Sequence, residues 1–172
     1  LMVKINKFKY FGIIFLIFSY LTIFFIRNGY GEQSLYLFFY VILICISSDL
    51  GGYIFGKLLK GPKLTKISPN KTYAGVLGAL ILSNILLVIF AYNSHIVNVS
   101  KIIIDLKFFV IVSIVSVVSQ LGDLVISYFK RLNNFKDTGN IIPGHGGILD
   151  RTDGMIFAFP FFFILLSFNL IQ

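Results

Sequence analysis

Four aspartates, Asp123, Asp137, Asp150 and Asp153, fall between Ser119 and Asp153, interleaved with Lys130, Arg131, Lys136 and Arg151. They are four of only seven acidic residues in a chain of 172. Hard carboxylate oxygens suit Mg²⁺, which takes one or two protein carboxylates and completes its shell with water and phosphate oxygens. The neighbouring cations suit the phosphate groups themselves. In Pro143-Gly144-His145-Gly146-Gly147, three glycines around one histidine let the backbone approach an anion closely. His145 has no His or Cys companion nearby, which argues against zinc. The same glycines would also serve a plain re-entrant loop. From its residue types, the stretch is a site for a metal ion and a phosphorylated substrate.

A second group lies upstream. The segment from Lys57 to Thr72 carries five lysines and ends in Ser68-Pro69-Asn70-Lys71-Thr72, with Ser68 placed to cap a helix and Pro69 where one can begin. A helix start presents unpaired N–H groups and a partial positive charge, so Lys66, Ser68 and Lys71 are candidate phosphate contacts. Lys57 and Lys60 read as solvated residues that fix topology. Asp49 lies about two helical turns inside the end of an apolar run and must face a hydrated cavity or find a partner there.

The elements that hold these residues are membrane spans. The chain is 57% hydrophobic and 13% charged, with 20 Phe and 9 Tyr. With a mean hydropathy of +0.90 it lies outside the range of soluble domains. Apolar runs of the roughly 17 to 25 residues a crossing helix needs recur five times. They predict an all-α, polytopic single domain over residues 1–172, with spans at about 10–26, 33–56, 72–92, 108–129 and 154–172 and motif loops at 57–71 and 130–153. The runs are continuously apolar, without the period-two alternation of a β-barrel.

Twelve of the fifteen Lys and Arg fall on the side holding the N-terminus and both motif loops, against Arg27, Lys101 and Lys107 on the other. This bias places the N-terminus and the site in the cytoplasm and the C-terminus outside. It also accounts for the net charge of +8 through topology and anionic headgroups, so no nucleic-acid partner is required. Cys45, the single cysteine, excludes an intrachain disulfide. No Ala precedes Ala74, so Tyr10–Ile26 reads as a retained span and not a cleaved signal.

Within the fourth span the polar residues Ser113, Ser116, Gln120, Asp123, Ser127 and Lys130 recur at steps of three and four. They draw one stripe that must face protein or water, since lipid cannot satisfy it. Small residues at Ser48, Gly52 and Gly56, and again at Gly75, Ala79 and Ser83, form faces for close helix contact.

The gapless run Ser127-x-Phe129-Lys130-Arg131, Lys136-Asp137-x-Gly139 and Ile142-Pro143-x-His145-Gly146-Gly147-Ile148-x-Asp150-Arg151-Thr152-Asp153 resembles the signature of the phosphatidate cytidylyltransferases, the CDP-diacylglycerol synthases. Asp49 to Tyr53, Gly56-Lys57 and Lys63-x-x-x-Ile67-Ser68-Pro69-Asn70-Lys71-Thr72-x-x-Gly75 resemble that family's upstream motif. The resemblance implies that CTP and phosphatidate give CDP-diacylglycerol and pyrophosphate with Mg²⁺, and allows a second cation, in a bacterial cytoplasmic membrane. It implies Asp123 and Asp150 as metal ligands. Lys130, Arg131, Lys136 and Arg151 would neutralise the triphosphate and the lipid phosphate, with Ser68 and Lys71 adding contacts. His145, Gly146 and Gly147 would line the phosphate site, and Asp49, Asp137 and Asp153 would orient other groups. Bacterial members generally carry further spans before the matched part. The chain, starting at Leu1, is therefore expected to be a compact member or one lacking its N-terminal region, and a homodimer is left open.

Three other readings compete: CTP-dependent chemistry on another lipid phosphate or a polyprenol, a channel or transporter lined by the polar stripe, and an inactive scaffold. Polar groups gathered at the cytoplasmic ends of the spans oppose conduction, and the intact aspartates oppose the scaffold.

Overall fold

The computed structural model describes residues 2–65, 68–93, 104–132 and 152–168, with side chains from Tyr10 onward. Over these residues the architecture is all-helical: α1 Met2–Asn28, α2 Ser34–Leu59, α3 Tyr73–Tyr92, α4 Leu106–Leu132 and α5 Met155–Ser167. A 3-10 turn, Gly31–Gln33, joins α1 to α2. Helix is the form that apolar runs of this length must take in lipid, because it satisfies every backbone polar group within the segment. Four of these helices are long and apolar enough to cross a membrane, and α5, with 13 residues, is shorter. At about 20 Å it falls short of a hydrocarbon core of about 30 Å. The chain is a polytopic membrane protein.

Helix ends differ from the expected spans where charged residues favour helix. α1 starts at Met2, so Lys4, Lys7 and Lys9 lie on the helix and not in a tail. Lysine is a good helix former. α4 runs on to Leu132, which places Lys130 and Arg131 in its last turn, where cations complement the negative end of the helix dipole, and not in the following loop.

Consecutive helices run up and down, so the end of α2, the start of α3, the end of α4 and the start of α5 share one end of the bundle. At the opposite end the interior is aromatic. Tyr36 stacks on Phe90 with ring centroids 4.9 Å apart, and Tyr40 packs against Phe108 at 6.0 Å and Phe162 at 5.6 Å. Phe38 meets Phe159 at 5.7 Å, and all of these rings belong to the buried core or pack directly against it. The outward face of α1, with Tyr10, Phe11, Ile14 and Phe24, is exposed, as a lipid-facing surface should be.

α2 and α3 form the closest pair. The predicted small-residue faces meet: Gly52 lies against Gly75, Gly56 lies against Thr72, and Ala79 and Ser83 are fully buried. The structure adds a contact outside those faces, Gly51 on Gly78. A Cβ at Gly51 would lie 2.5 Å from the Gly78 carbonyl oxygen and 2.8 Å from the Ala79 Cα, both backbone atoms. Gly51→Ala must therefore push the helices apart, at about 1–3 kcal/mol. Unfolding in mixed detergent micelles should show this loss, whereas Gly12→Ala on α1, with nothing within 4 Å of the new carbon, should leave stability equal or slightly raised.

Candidate active site

The polar stripe on α4 is the spine of the site, and its residues are shared out among the neighbouring elements. Asn84 Nδ2 on α3 donates to Ser113 Oγ at 3.0 Å. Ser116 Oγ donates to Ser48 Oγ on α2 at 3.0 Å, both hydroxyls being buried. Gln120 Nε2 donates back to Ser116 Oγ at 3.4 Å. One turn further along, Asp123 Oδ2 is ion-paired with the Lys71 ammonium, which also donates to the Gln120 carbonyl oxygen at 3.4 Å. At the end of the stripe, Lys130 Nζ lies 2.8 Å from Asp153 Oδ2.

Lys71 is delivered to Asp123 by a folded-back loop. α2 is capped at its C-terminal end by Lys60, which takes the left-handed conformation with φ of 44°. Lys63 and Thr72 then pair as an antiparallel bridge, reinforced by Leu64 N–H donating to the Lys71 carbonyl at 2.8 Å and Tyr73 N–H to the Pro62 carbonyl at 3.2 Å. Ser68-Pro69-Asn70-Lys71 closes as a turn in which Lys71 N–H donates to the Ser68 carbonyl at 3.1 Å, with Pro in the position such turns favour.

This geometry corrects the expected helix start. Thr72, not Ser68, caps α3, its Oγ1 accepting from Gly75 N–H at 3.1 Å while its backbone stays extended. The bridge holds residue 72 extended, so the helix cannot begin earlier. Tyr73 and Gly75 N–H groups are thereby taken by Pro62 and Thr72. An anion at this point would be met by the Lys71 side chain more than by the start of α3.

Asp153 is buried, its side chain 3% exposed, and Lys130 is 15% exposed. The lysine expected to face phosphate thus bridges α4 to the chain entering α5 through its ion pair with Asp153. The same join is tightened by small residues: a Cβ on Gly122 would lie 2.7 Å from Phe157, and one on Gly154 would lie 2.9 Å from the Ser119 carbonyl oxygen.

Of the remaining predicted residues, Asp49 is exposed on α2 beside the buried Ser48, Ser68 is half-buried in the loop turn, and Arg131 is exposed at the end of α4. Lys66, Lys136, Asp137, His145, Gly146, Gly147, Asp150 and Arg151 lie outside the described residues. Among the described residues no group of three His, Cys, Asp or Glu side chains comes together, and Asp123 is the carboxylate at the centre of the stripe. Its donor chemistry fits a hard divalent cation. The carboxylate is part-exposed, at 31%, and already holds a positive group against one oxygen. Sequence reasoning misses Asn84, Thr72 and the Gln120 carbonyl. Thr72 carries a usable signal, a hydroxyl three residues before Gly75 at the edge of an apolar run.

A family model described as the cytidylyltransferase family matches residues 2–169. The phosphatidate cytidylyltransferase of Bacillus subtilis is 41% identical over 144 residues, covering 83% of this chain and 51% of that protein. The phosphatidate cytidylyltransferase of Staphylococcus haemolyticus is 42% identical over 137 residues, covering 78% and 50%, and that of Haemophilus influenzae is 40% identical over 132 residues, covering 76% and 45%. The chain thus spans about half the length of these relatives. With the family model matched across nearly all of its residues, the chain belongs to the cytidylyltransferase family.

Proposed function

We propose that the chain transfers the cytidylyl group of CTP to phosphatidate, giving CDP-diacylglycerol and pyrophosphate, at the cytoplasmic face of a bacterial inner membrane. One observation carries the reading: the ion pair between Lys71 and Asp123, which joins the upstream motif segment to the polar stripe of α4 at one end of the bundle. The relatives' name supplies the acceptor, phosphatidate, and the group transferred, cytidylyl. The excess of Lys and Arg on the side of both motif loops supplies the orientation, with the C-terminus outside.

The chemistry asks little covalent help from the protein. A phosphatidate oxygen attacks the α-phosphorus of CTP in line, the bond from the α-phosphorus to the bridging oxygen breaks, and pyrophosphate leaves with that electron pair. The nucleophile is already anionic, so alignment and neutralisation of charge do the catalysis. Asp123 and Asp150 would hold Mg²⁺, which when bound neutralises phosphate oxygens as they approach one another. Lys71, Arg131, Lys136 and Arg151 would meet the remaining phosphate charge. Lys130, engaged by Asp153, fixes the entry to α5, three residues beyond Asp150 in sequence.

The test is pyrophosphate release by the purified protein in detergent. Turnover should need CTP, phosphatidate and Mg²⁺ together. Activity only with a different lipid phosphate would shift the acceptor. No turnover from folded protein, with Mn²⁺ and other lipid phosphates also supplied, would overturn the reading for this chain.

A further inference from the structure

Lys71 and Asp123 neutralise each other, although the first is suited to phosphate and the second to a metal ion. The carboxylate oxygen on which the ammonium rests is one that a cation's coordination shell would need. The Lys71 backbone is pinned on both sides, its N–H by the Ser68 carbonyl and its carbonyl by Leu64 N–H, with the α3 cap Thr72 next in the chain. Only the flexible four-carbon stem can move. The pair is also partly solvated, the two side chains being 27% and 31% exposed. Ion pairs exposed to this degree are weak, and a divalent ion brings twice the charge to the same oxygen.

We infer that Lys71 is an internal cation that competes with the divalent metal for Asp123, so that metal binding releases the Lys71 ammonium to a phosphate oxygen. This rests on the reading of Asp123 as a metal ligand. It makes Lys71 a positioning residue for the carboxylate before the metal arrives and a phosphate contact afterwards. Charge at the site is kept in step: one positive group leaves the carboxylate as another takes it, and the displaced group meets the anion that accompanies the metal. Because the loop backbone is fixed, the exchange needs a side-chain rotation alone.

The experiment measures binding of Mn²⁺ alone to the purified full chain, from the electron paramagnetic resonance signal of free Mn²⁺. Lys71→Met should tighten binding roughly fivefold, the scale of an exposed ion pair converted to an equilibrium constant. Lys71→Gln should do the same and stands in if the first variant does not fold, each being checked for a single gel-filtration peak. Asp123→Asn should weaken binding by at least about tenfold, as loss of a charged ligand requires. If Asp123→Asn leaves Mn²⁺ binding unchanged, the metal reading itself fails. If Asp123→Asn weakens binding while both Lys71 variants bind as the wild type or less tightly, the metal reading stands and the competition is overturned. A second readout begins with the wild type: Mg²⁺ should speed acylation of Lys71 by an amine-reactive ester, followed by peptide mass spectrometry. In Asp123→Asn the fast rate should appear without Mg²⁺. An acylation rate indifferent to Mg²⁺ in the wild type overturns the inference.

Discussion

Asp123→Asn is expected to lower pyrophosphate release from CTP and phosphatidate by about three orders of magnitude, the scale on which removing preorganised charge at a reacting phosphate is felt. The replacement keeps the size and planarity of the side chain, and the Lys71 ammonium paired with it is partly solvated. The fold should therefore survive, with stability changed by no more than about 1 kcal/mol. Activity and detergent-micelle unfolding on the same preparation separate a chemical loss from a structural one. A variant retaining more than about a tenth of wild-type turnover would remove Asp123 from the chemistry. The expected loss is large because nothing else on the stripe can replace the carboxylate: Ser113 and Ser116 are neutral and tie α4 to α3 and α2, and Gln120, also neutral, donates to Ser116 within α4.

Lys130→Met should act on stability instead. It withdraws the ammonium 2.8 Å from a carboxylate that is only 3% exposed. Breaking a buried pair from one side costs about 3–5 kcal/mol, because the remaining charge stays out of water. Lys130→Met combined with Asp153→Leu removes both charges and should recover much of the loss. The double-mutant cycle from denaturant midpoints then gives the coupling. Single variants each within about 1 kcal/mol of wild type would show that the pair holds nothing together. Turnover should fall with Lys130→Met as well, since Asp150 and Arg151 closely precede Asp153 in the chain.

Much of this arrangement is legible in the order of residues alone. The four long spans follow from apolar length, and the α4 stripe from steps of three and four, because a helix in lipid must either bury its polar residues or lose them. The glycine faces of α2 and α3 are legible for the same reason. What periodicity does not carry is the partner of each polar group. Lys71 and Asp123 are far apart in sequence, and the lysine reaches the carboxylate only because the loop folds back through the Lys63 and Thr72 bridge. Ser68 and Pro69 satisfy the local rules for a helix start, yet α3 begins later. The hydrogen bonds from Leu64 to Lys71 and from Tyr73 to Pro62 override those rules. Gly51 lies one residue off the face marked by Ser48, Gly52 and Gly56, and only the approach of Gly78 gives it a role. The exposure of Asp49 beside buried Ser48 likewise depends on how α2 is rotated, which the run of apolar residues leaves open.

The interlocked rings of Tyr36, Tyr40, Phe90, Phe108, Phe159 and Phe162 have a consequence for the cell. A protein that gathers highly charged molecules at one mouth of a helical bundle risks becoming a leak for protons and salt. Moving one elementary charge through a membrane potential releases about 2.3 kcal/mol per 100 mV, so even a slow hydrated path would drain the gradient that drives ATP synthesis. Close packing of these rings at the far end leaves little room for a continuous file of water. In the reaction proposed above, charged substrates and products would therefore enter and leave at the opposite end of the bundle from these rings.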